Sequence, residues 1–334
     1  MKTHQVQQKT ERRISAALRL VFVAALLLGQ IALAFFLSTE LRQRAAIIYT
    51  VLELAPFGYA VRIYNRTDGA SYKFGWIFLV LTVPVVGLIL YFLWNGDRQQ
   101  KRLDLKKLPM PEEPEAQQAA HRIQMEKLRR KFPQWERLSV YLSRQGYLLY
   151  GDTETTYLPT GEMFLQDMLE KLEQAEHFIF LEFFIIAQGQ IWDRMEEIFR
   201  RKAAAGVEVK IIFDDFGSMM RFPAGQIEAL RESGVEVQVF NPVHHYVNRL
   251  YFNYRDHRKI VCIDGSTAYT GGANVADEYA NLTVRFGYWK DCGIRLDGPG
   301  AWGLTREFLH MWQRNGGQLM QERDYYRPHD HREA

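Results

Sequence analysis

The chain has 334 residues and a formal net charge of +3, with 47% hydrophobic and 13% aromatic residues. This length allows a membrane region plus one domain of ordinary size, and the small charge gives no reason to expect a nucleic-acid-binding protein. The two cysteines, Cys262 and Cys292, sit in apolar strand-like runs. Buried free thiols are favoured there over a disulfide, which indicates a reducing compartment, and their spacing offers no zinc site.

Three hydrophobic stretches open the chain. Residues 20–37 and 74–94 are uncharged and long enough to span a bilayer, whereas residues 45–61 between them carry Glu53 and Pro56. Basic residues lie outside both long stretches, and an even number of spans would keep both basic flanks in the cytoplasm. We therefore expect a multi-pass α-helical anchor in the cell membrane with two spans and a cytoplasmic C-terminal region. A three-span topology is the alternative.

The next segment is charged and contains several prolines. A helix is predicted at residues 115–131, and its basic end could contact anionic headgroups, although a solvated helix end is equally consistent with the pattern. The expected organisation is thus a transmembrane anchor at residues 1–96, a charged linker at 97–137 and a globular lobe at 138–334.

Strands and helices alternate in the lobe. Strands are predicted at residues 178–186, 207–213, 235–240, 259–263 and 288–296, and helices at 192–205, 227–232 and 302–312. This order predicts an α/β fold in which helices flank a mixed sheet.

One segment concentrates polar residues that can act on a phosphodiester. It has the pattern H-x-K-x4-D-x6-G-G-x-N and consists of His257, Lys259, Asp264, Gly271, Gly272 and Asn274. Because side chains alternate along a strand, His257 and Lys259 share one face and Asp264 belongs to the other. A neutral imidazole can attack phosphorus while a nearby ammonium neutralises the phosphoryl oxygens.

The remaining candidates have supporting roles. Gly271 and Gly272 would let a phosphate approach the backbone closely, and Asn274 could donate its amide to an oxygen. Asp264 is a candidate catalytic residue because it belongs to the motif. Its side chain lies on the strand face opposite to His257, which favours a turn or ion-pair role. Glu182 lies in an apolar run where a carboxylate needs a partner, so it either lines a substrate pocket or pairs with an arginine.

This motif and its surroundings resemble the phospholipase D superfamily, and within it the membrane-anchored cardiolipin synthases of bacteria. The resembling stretches are residues 65–66, 71–73, 181–186, 214–218, 240–242, 255–259, 271–279 and 287–291. The resemblance implies a phospholipase D-like catalytic lobe that needs no metal or other cofactor. It implies transfer of a phosphatidyl group between two phosphatidylglycerol molecules, with release of glycerol and a phosphohistidine at His257. It also implies that Asp291 hydrogen-bonds this histidine.

Members of the family carry a second lobe with its own H-x-K motif, and this chain would stop where that lobe should begin. The second histidine acts as the general acid in the family. Three interpretations stay open: an N-terminal half of a synthase, a half-enzyme completed by a homodimer or another motif-bearing chain, and an incomplete membrane-anchored partner of a full synthase. A single-motif homodimeric phosphodiesterase is a further alternative. His244 and His245 precede the motif, but a polar loop is favoured over an internal acid there.

Overall fold

The computed structural model describes residues 46–66, 69–94, 115–242, 255–319, 325 and 326, together with 25, 28, 29, 31 and 32. Most of the first hydrophobic stretch lies outside the described residues, as do His244 and His245. The chain divides into two compact units, one containing the N-terminal helices and the other the sheet with its helices.

The helices of the N-terminal unit whose bounds are described are α1 (Ala46–Tyr64), α2 (Ala70–Thr82) and α3 (Pro84–Trp94). Their small core consists of Ile63, Trp76, Val80, Val86, Leu90 and Tyr91. The stretch expected to be one continuous span is broken before Pro84, because proline lacks an amide hydrogen and displaces the preceding residue from the helical region. Val83 accordingly has φ −131° and ψ 72°. Among the described residues, no helix is both long enough and apolar enough to cross a membrane.

The second unit is a seven-stranded mixed sheet with helices on both faces, which confirms the predicted fold class for the lobe. Two helices come first, α4 (Glu115–Lys131) and α5 (Glu136–Arg144), joined by a 3-10 turn at Pro133–Trp135. The strands are β1 (Glu154–Leu158), β2 (Phe178–Phe183), β3 (Glu208–Asp214), β4 (Glu236–Phe240), β5 (Lys259–Ile263), β6 (Thr267–Gly271) and β7 (Gly293–Asp297). The later helices are α6 (Gly161–Leu172), α7 (Gln190–Ala204), α8 (Asp215–Ser218), α9 (Ala224–Glu232) and α10 (Gly300–Arg314).

Strand order explains where polar groups gather. The order is β1-β7-β6-β5-β2-β3-β4, and β2, β3 and β4 run parallel while β5 is antiparallel to β2. Lys259 at the start of β5 pairs with Phe183 at the end of β2. The residues that precede β5 therefore lie at the same end of the strands as the residues that follow β2 and β3.

Some predicted elements need correction. The strand at 259–263 and the helix at 115–131 are confirmed with those bounds. The strand predicted at 288–296 begins only at Gly293, and Cys292 just before it is exposed rather than buried as expected, whereas Cys262 is buried.

Candidate functional site

His257 and Lys259 lie close together where β5 begins, in the middle of the sheet. Lys259 Nζ lies 3.1 Å from His257 Nδ1 and donates to the His257 carbonyl oxygen at 2.7 Å. The lysine is buried and the imidazole is exposed. The ring of Phe184, the residue after β2, lies 4.8 Å from the imidazole centroid and 5.6 Å from Nζ. The two motif residues therefore share a face, as strand alternation predicts.

Burial lowers the pKa of both groups, and the charge of Lys259 adds to the shift of His257. Burial, and then the Lys259 charge, lower the pKa of His257 from its ordinary value. Burial lowers the pKa of Lys259 to about 8, although Asp256 and Asp291 oppose that change. Near neutral pH the pair therefore combines a neutral imidazole with a mostly protonated ammonium, which is the combination that attack on phosphorus requires.

The lysine also decides which ring nitrogen carries the proton. A charged ammonium has only donors, so Nδ1 of His257 accepts and the imidazole proton resides on Nε2. Nε2 can act as a nucleophile only when the proton moves to Nδ1. Nδ1 must then donate to a hydrogen-bond acceptor in place of accepting from the lysine.

Asp291 acts on Lys259 through its charge, and the hydrogen bonds of its carboxylate go to partners other than the imidazole. Oδ2 accepts from Trp289 Nε1 at 3.1 Å, and Oδ1 accepts from the Cys292 amide at 2.8 Å. Its charge raises the pKa of Lys259. In this arrangement the hydrogen bond to His257 that the resemblance implies is not among the carboxylate's contacts with described residues.

The two glycines make room for protein atoms. A Cβ at Gly272 would lie 2.3 Å from Asp291 Oδ1, and one at Gly271 would lie 2.7 Å from the Cys292 carbonyl oxygen. The Gly272 amide donates to that same carbonyl at 3.0 Å. These glycines allow β6 and β7 to pack closely and the Asp291 carboxylate to reach the backbone. The expected role in phosphate approach stays a prediction.

Asn274 is buried and is bonded to protein at both ends of its amide. Oδ1 accepts from the Ile185 amide at 3.0 Å, and Nδ2 donates to the Tyr279 hydroxyl at 2.9 Å. It thereby fixes the segment after β2 that carries Phe184. The structure thus gives Asn274 a positioning role, and its expected contact with a phosphate oxygen stays a prediction.

Asp264 closes the opposite end of β5. Five residue steps separate it from Lys259, or about 17 Å along a strand. Its carboxylate accepts backbone amides at 2.7–2.8 Å from Glu176, His177 and Phe178, where β2 begins. It thus has the turn role that its face favours, and the structure separates it from the histidine.

A charged cluster lies on the other face of the sheet. Arg258 contacts Glu182 at 2.6 Å, Glu307 at 2.9 Å and Asp256 at 3.5 Å. Burial raises the pKa of Glu182 well above its ordinary value, against the opposing effect of Arg258. Of the two roles expected for Glu182, the arginine pair is observed, and its strand alternation with Phe183 turns it away from Lys259.

Asp214 anchors the backbone that leads into the motif. At the end of β3 it accepts the Phe216 amide at 2.8 Å and the Asp256 amide at 3.0 Å, and it lies 3.3 Å from Arg255 Nη1. The sequence analysis does not identify Asp256, which pairs with Arg258 and raises the pKa of Lys259, or Phe184, whose ring packs against His257. Asp256 directly precedes the motif and Phe184 directly follows the apolar strand β2, so both positions are visible in the sequence. Within the described residues, no group of three or more His, Cys, Asp or Glu is arranged to hold a metal ion.

Comparison with known proteins agrees with the motif. Residues 168–284 match the family model described as cardiolipin synthase, PLD-like domain, and residues 57–95 match the phospholipase D–nuclease N-terminal model. An uncharacterized protein of Streptococcus mutans is 37% identical over 71% of this chain and 51% of that protein. Cardiolipin synthase 2 of Bacillus anthracis is 30% identical over 80% of this chain and 52% of that protein. The chain thus spans about half the length of the curated relatives it matches.

The lobe is therefore a phospholipase D-like domain. The chain is related to the bacterial cardiolipin synthases, as the resemblance implies. Among solved structures, Nuc of Salmonella typhimurium, a phospholipase D family member, is 19% identical over 49% of this chain and 93% of that chain, with a TM-score of 0.35. That score is too low to bear on substrate.

Proposed function

We propose that the chain provides a half-site of a cardiolipin synthase-type phosphatidyltransferase. It would transfer a phosphatidyl group between two phosphatidylglycerol molecules and release glycerol. The observation that carries the proposal is the exposed His257 ring, whose Nδ1 lies 3.1 Å from Nζ of the buried Lys259. The lipid substrates imply reaction at the cell membrane, and the basic flanks of the hydrophobic stretches favour a cytoplasmic lobe.

In the first step, His257 Nε2 attacks phosphorus and the bond from phosphorus to the glycerol headgroup oxygen breaks. Lys259 neutralises the phosphoryl oxygens as charge develops on them. An acid must protonate the departing glycerol oxygen. The product is a phosphatidyl-histidine, which divides one difficult transfer into two displacements.

The reactive tautomer follows from the neighbours of the ring. A bound phosphate would draw the Lys259 ammonium away from Nδ1. Nδ1 could then carry the proton and donate a hydrogen bond to the carboxylate of Asp291, whose charge already acts on Lys259. The exposed imidazole exchanges its proton with water, so the shift from Nε2 to Nδ1 needs no further residue. Asp291 would then orient the ring and stabilise its charged form, as the acidic member of a triad does.

In the second step, a hydroxyl of another phosphatidylglycerol attacks the phosphorus, the bond to Nε2 breaks, and cardiolipin forms. The hydroxyl must give up a proton to a base. The chain contains one copy of the motif, so we assign both proton transfers to a second H-x-K histidine that another chain supplies. A second copy of the chain is its simplest source, since twofold dimers are the commonest oligomers.

Rapid quenching tests the nucleophile. The full chain in detergent is mixed with phosphatidylglycerol labelled at phosphorus, quenched and digested, and the label is located by mass spectrometry. We expect an acid-labile, alkali-stable adduct on His257 that is consumed when unlabelled phosphatidylglycerol is added, with cardiolipin as the product. Label on another residue, or phosphatidic acid as the sole product, would overturn the proposal.

Subunit mixing tests the shared site. Adding His257→Ala chains to wild type should depress activity by more than dilution does, because mixed dimers would hold one histidine. The control adds equal amounts of Tyr157→Ser chains, which change an exposed residue of the edge strand β1. A strictly monomeric protein that makes cardiolipin would exclude the second copy as the source of the acid.

A further inference from the structure

Helix α5 turns its large apolar side chains outward. The 3-10 turn and α5 expose Trp135 by 54%, Leu138 by 49%, Tyr141 by 60% and Leu142 by 39%. The half-buried side of the helix carries Glu136, Ser139, Val140 and Ser143, of which only Val140 is apolar, and no residue of α5 is buried. An amphipathic helix in a soluble domain normally has the reverse orientation.

Positive charge surrounds this apolar face. Residues 122–144 contain seven Lys or Arg and two Glu, a net charge of +5, whereas the whole chain carries +3. Both glutamates are engaged, Glu136 with Arg129 at 2.7 Å and Glu126 with Arg130 at 2.9 Å. Among the described residues, five cations here have no acidic partner: Arg122, Lys127, Lys131, Arg137 and Arg144.

A cavity of about 280 Å³ opens beside these cations. Lys127 and Lys131, one turn apart on α4, line it together with the apolar side chains of Leu128, Phe132 and Leu149. Two ammonium groups next to an apolar wall match the headgroup and glycerol region of one anionic phospholipid.

The surface is fixed to the lobe through α10, whose Glu307 belongs to the charged cluster on the sheet face opposite to Lys259. The Leu149 amide donates to His121 Nδ1 of α4 at 2.9 Å, and Arg306 of α10 donates to the Gly146 carbonyl at 3.2 Å. Tyr147 lies beside Glu307, whose charge raises the pKa of that phenol. Glu307 in turn pairs with Arg258, the neighbour of His257 in sequence.

We propose that α4 and α5 form a membrane-contact surface of the lobe, separate from the N-terminal helices, which binds bilayers containing anionic phospholipid. The apolar side chains of α5 would enter the headgroup boundary, where Trp and Tyr are favoured, while the flanking arginines remain in the headgroup layer. A twofold contact with a second copy would oppose like charges, which disfavours self-association through this face. The proposal extends the membrane role of the proposed function, and its test measures binding without turnover.

Site-specific fluorescence in the full chain tests the proposal. Cys292→Ser removes the exposed thiol, and Cys262 is buried, so an introduced cysteine can be labelled selectively. An environment-sensitive dye is placed at Tyr141→Cys, or at Tyr157→Cys as the matched control, since these tyrosines are 60% and 62% exposed. The chain is reconstituted in nanodiscs of phosphatidylcholine with or without phosphatidylglycerol, with spin-labelled lipid as quencher.

We expect the dye at position 141 to shift to the blue and to be quenched in discs containing phosphatidylglycerol, while the dye at 157 remains in water. Arg137→Gln with Arg144→Gln should reduce the inserted fraction about fivefold per charge, since each surface cation contributes about a factor of this size. Arg194→Gln with Arg231→Gln, at exposed positions of α7 and α9, is the charge-matched control and should change nothing.

Three results would overturn the proposal. The first is a dye at 141 that stays in water in every disc, and the second is insertion that does not depend on phosphatidylglycerol. The third is a blue shift that appears in detergent and rises with protein concentration without lipid quenching, which would identify a second copy as the occupant. A chain that forms no phosphohistidine can still pass this test, so the failures of the two proposals are distinguishable.

Discussion

The two ends of β5 carry residues of one motif under opposite conditions. At the end where His257 and Lys259 lie, an exposed ring faces a buried ammonium 3.1 Å away, and both groups have lowered pKa values. At the other end, Asp264 accepts three backbone amides with near-ideal distances. At the reactive end the charge of Lys259 is held in a buried position that disfavours it. At the other end the carboxylate of Asp264 is stabilised by three backbone hydrogen bonds.

This difference indicates how one strand can serve both chemistry and folding. Asp264 joins the start of β2 to the end of β5, and the register of these strands then sets Lys259 beside Phe183. The reactive pair can therefore hold an unfavourable charge because the distant end of its strand fixes the backbone. Changes at the two ends should separate rate from stability.

Removing the imidazole should have the largest effect. We expect His257→Ala to lower phosphatidyl transfer by about 10⁴-fold or more, as loss of a covalent nucleophile does. The exposed ring contributes little to stability, so the free energy of unfolding should change by less than about 0.5 kcal/mol. Transfer assays and thermal unfolding measure the two quantities, and substantial residual transfer would remove His257 from its role.

Removing the ammonium should cost less. Lys259→Met keeps the buried stem but deletes the charge, and we expect kcat to fall about 10²- to 10³-fold, as it does when a preorganised oxyanion donor is removed. Lys210→Met is the matched control, because Lys210 is a buried lysine of β3 that pairs with Glu208 and Glu236. The control should alter stability and leave kcat intact. An effect of Lys259→Met confined to KM would contradict the assigned role.

The structural end should respond in the opposite way. Asp264→Ala leaves three amides at the start of β2 without their acceptor and should lower the free energy of unfolding by about 2–3 kcal/mol. Asp264→Asn should be milder, because asparagine tolerates the φ of +53° at this position and retains Oδ1, which accepts two of the three amides. Denaturant unfolding measures both variants. A rate loss in the folded Asn variant as large as that of Lys259→Met would place Asp264 in the chemistry after all.

Sequence reasoning reached the parts of the fold and site that depend on local pattern. The run from Lys259 to Ile263 is continuous and apolar, so its strand and the shared face of His257 and Lys259 followed directly. The strand β6, with the sequence TAYTG, lacks such a run and was missed. Helix α6 was missed despite an available signal, since Thr160 caps it by accepting the Met163 amide.

The partners of the site residues depend on pairing between distant segments. Glu182 meets Arg258 across 76 positions, and Gly272 meets Asp291 because β6 and β7 are neighbours. No periodicity within one segment identifies such contacts. For the same reason the motif does not reveal that the Asn274 amide contacts Ile185 and thereby holds the segment after β2.

The smallest effect should appear in the pH dependence, which reports the reactive end alone. Attack requires neutral His257, and burial with the nearby Lys259 charge lowers the pKa of that imidazole, so the acid limb should lie below about 6.5. The ammonium is needed in its protonated form, and the pKa of Lys259 is lowered to about 8, so this group should add a fall in activity of about tenfold per pH unit above that value to the fall that the acid histidine causes. Lys259→Arg cannot deprotonate in this range, so whatever activity it retains should lack the added fall above about pH 8. An unchanged slope above about pH 8 in that variant would show that the lysine does not titrate in the reaction.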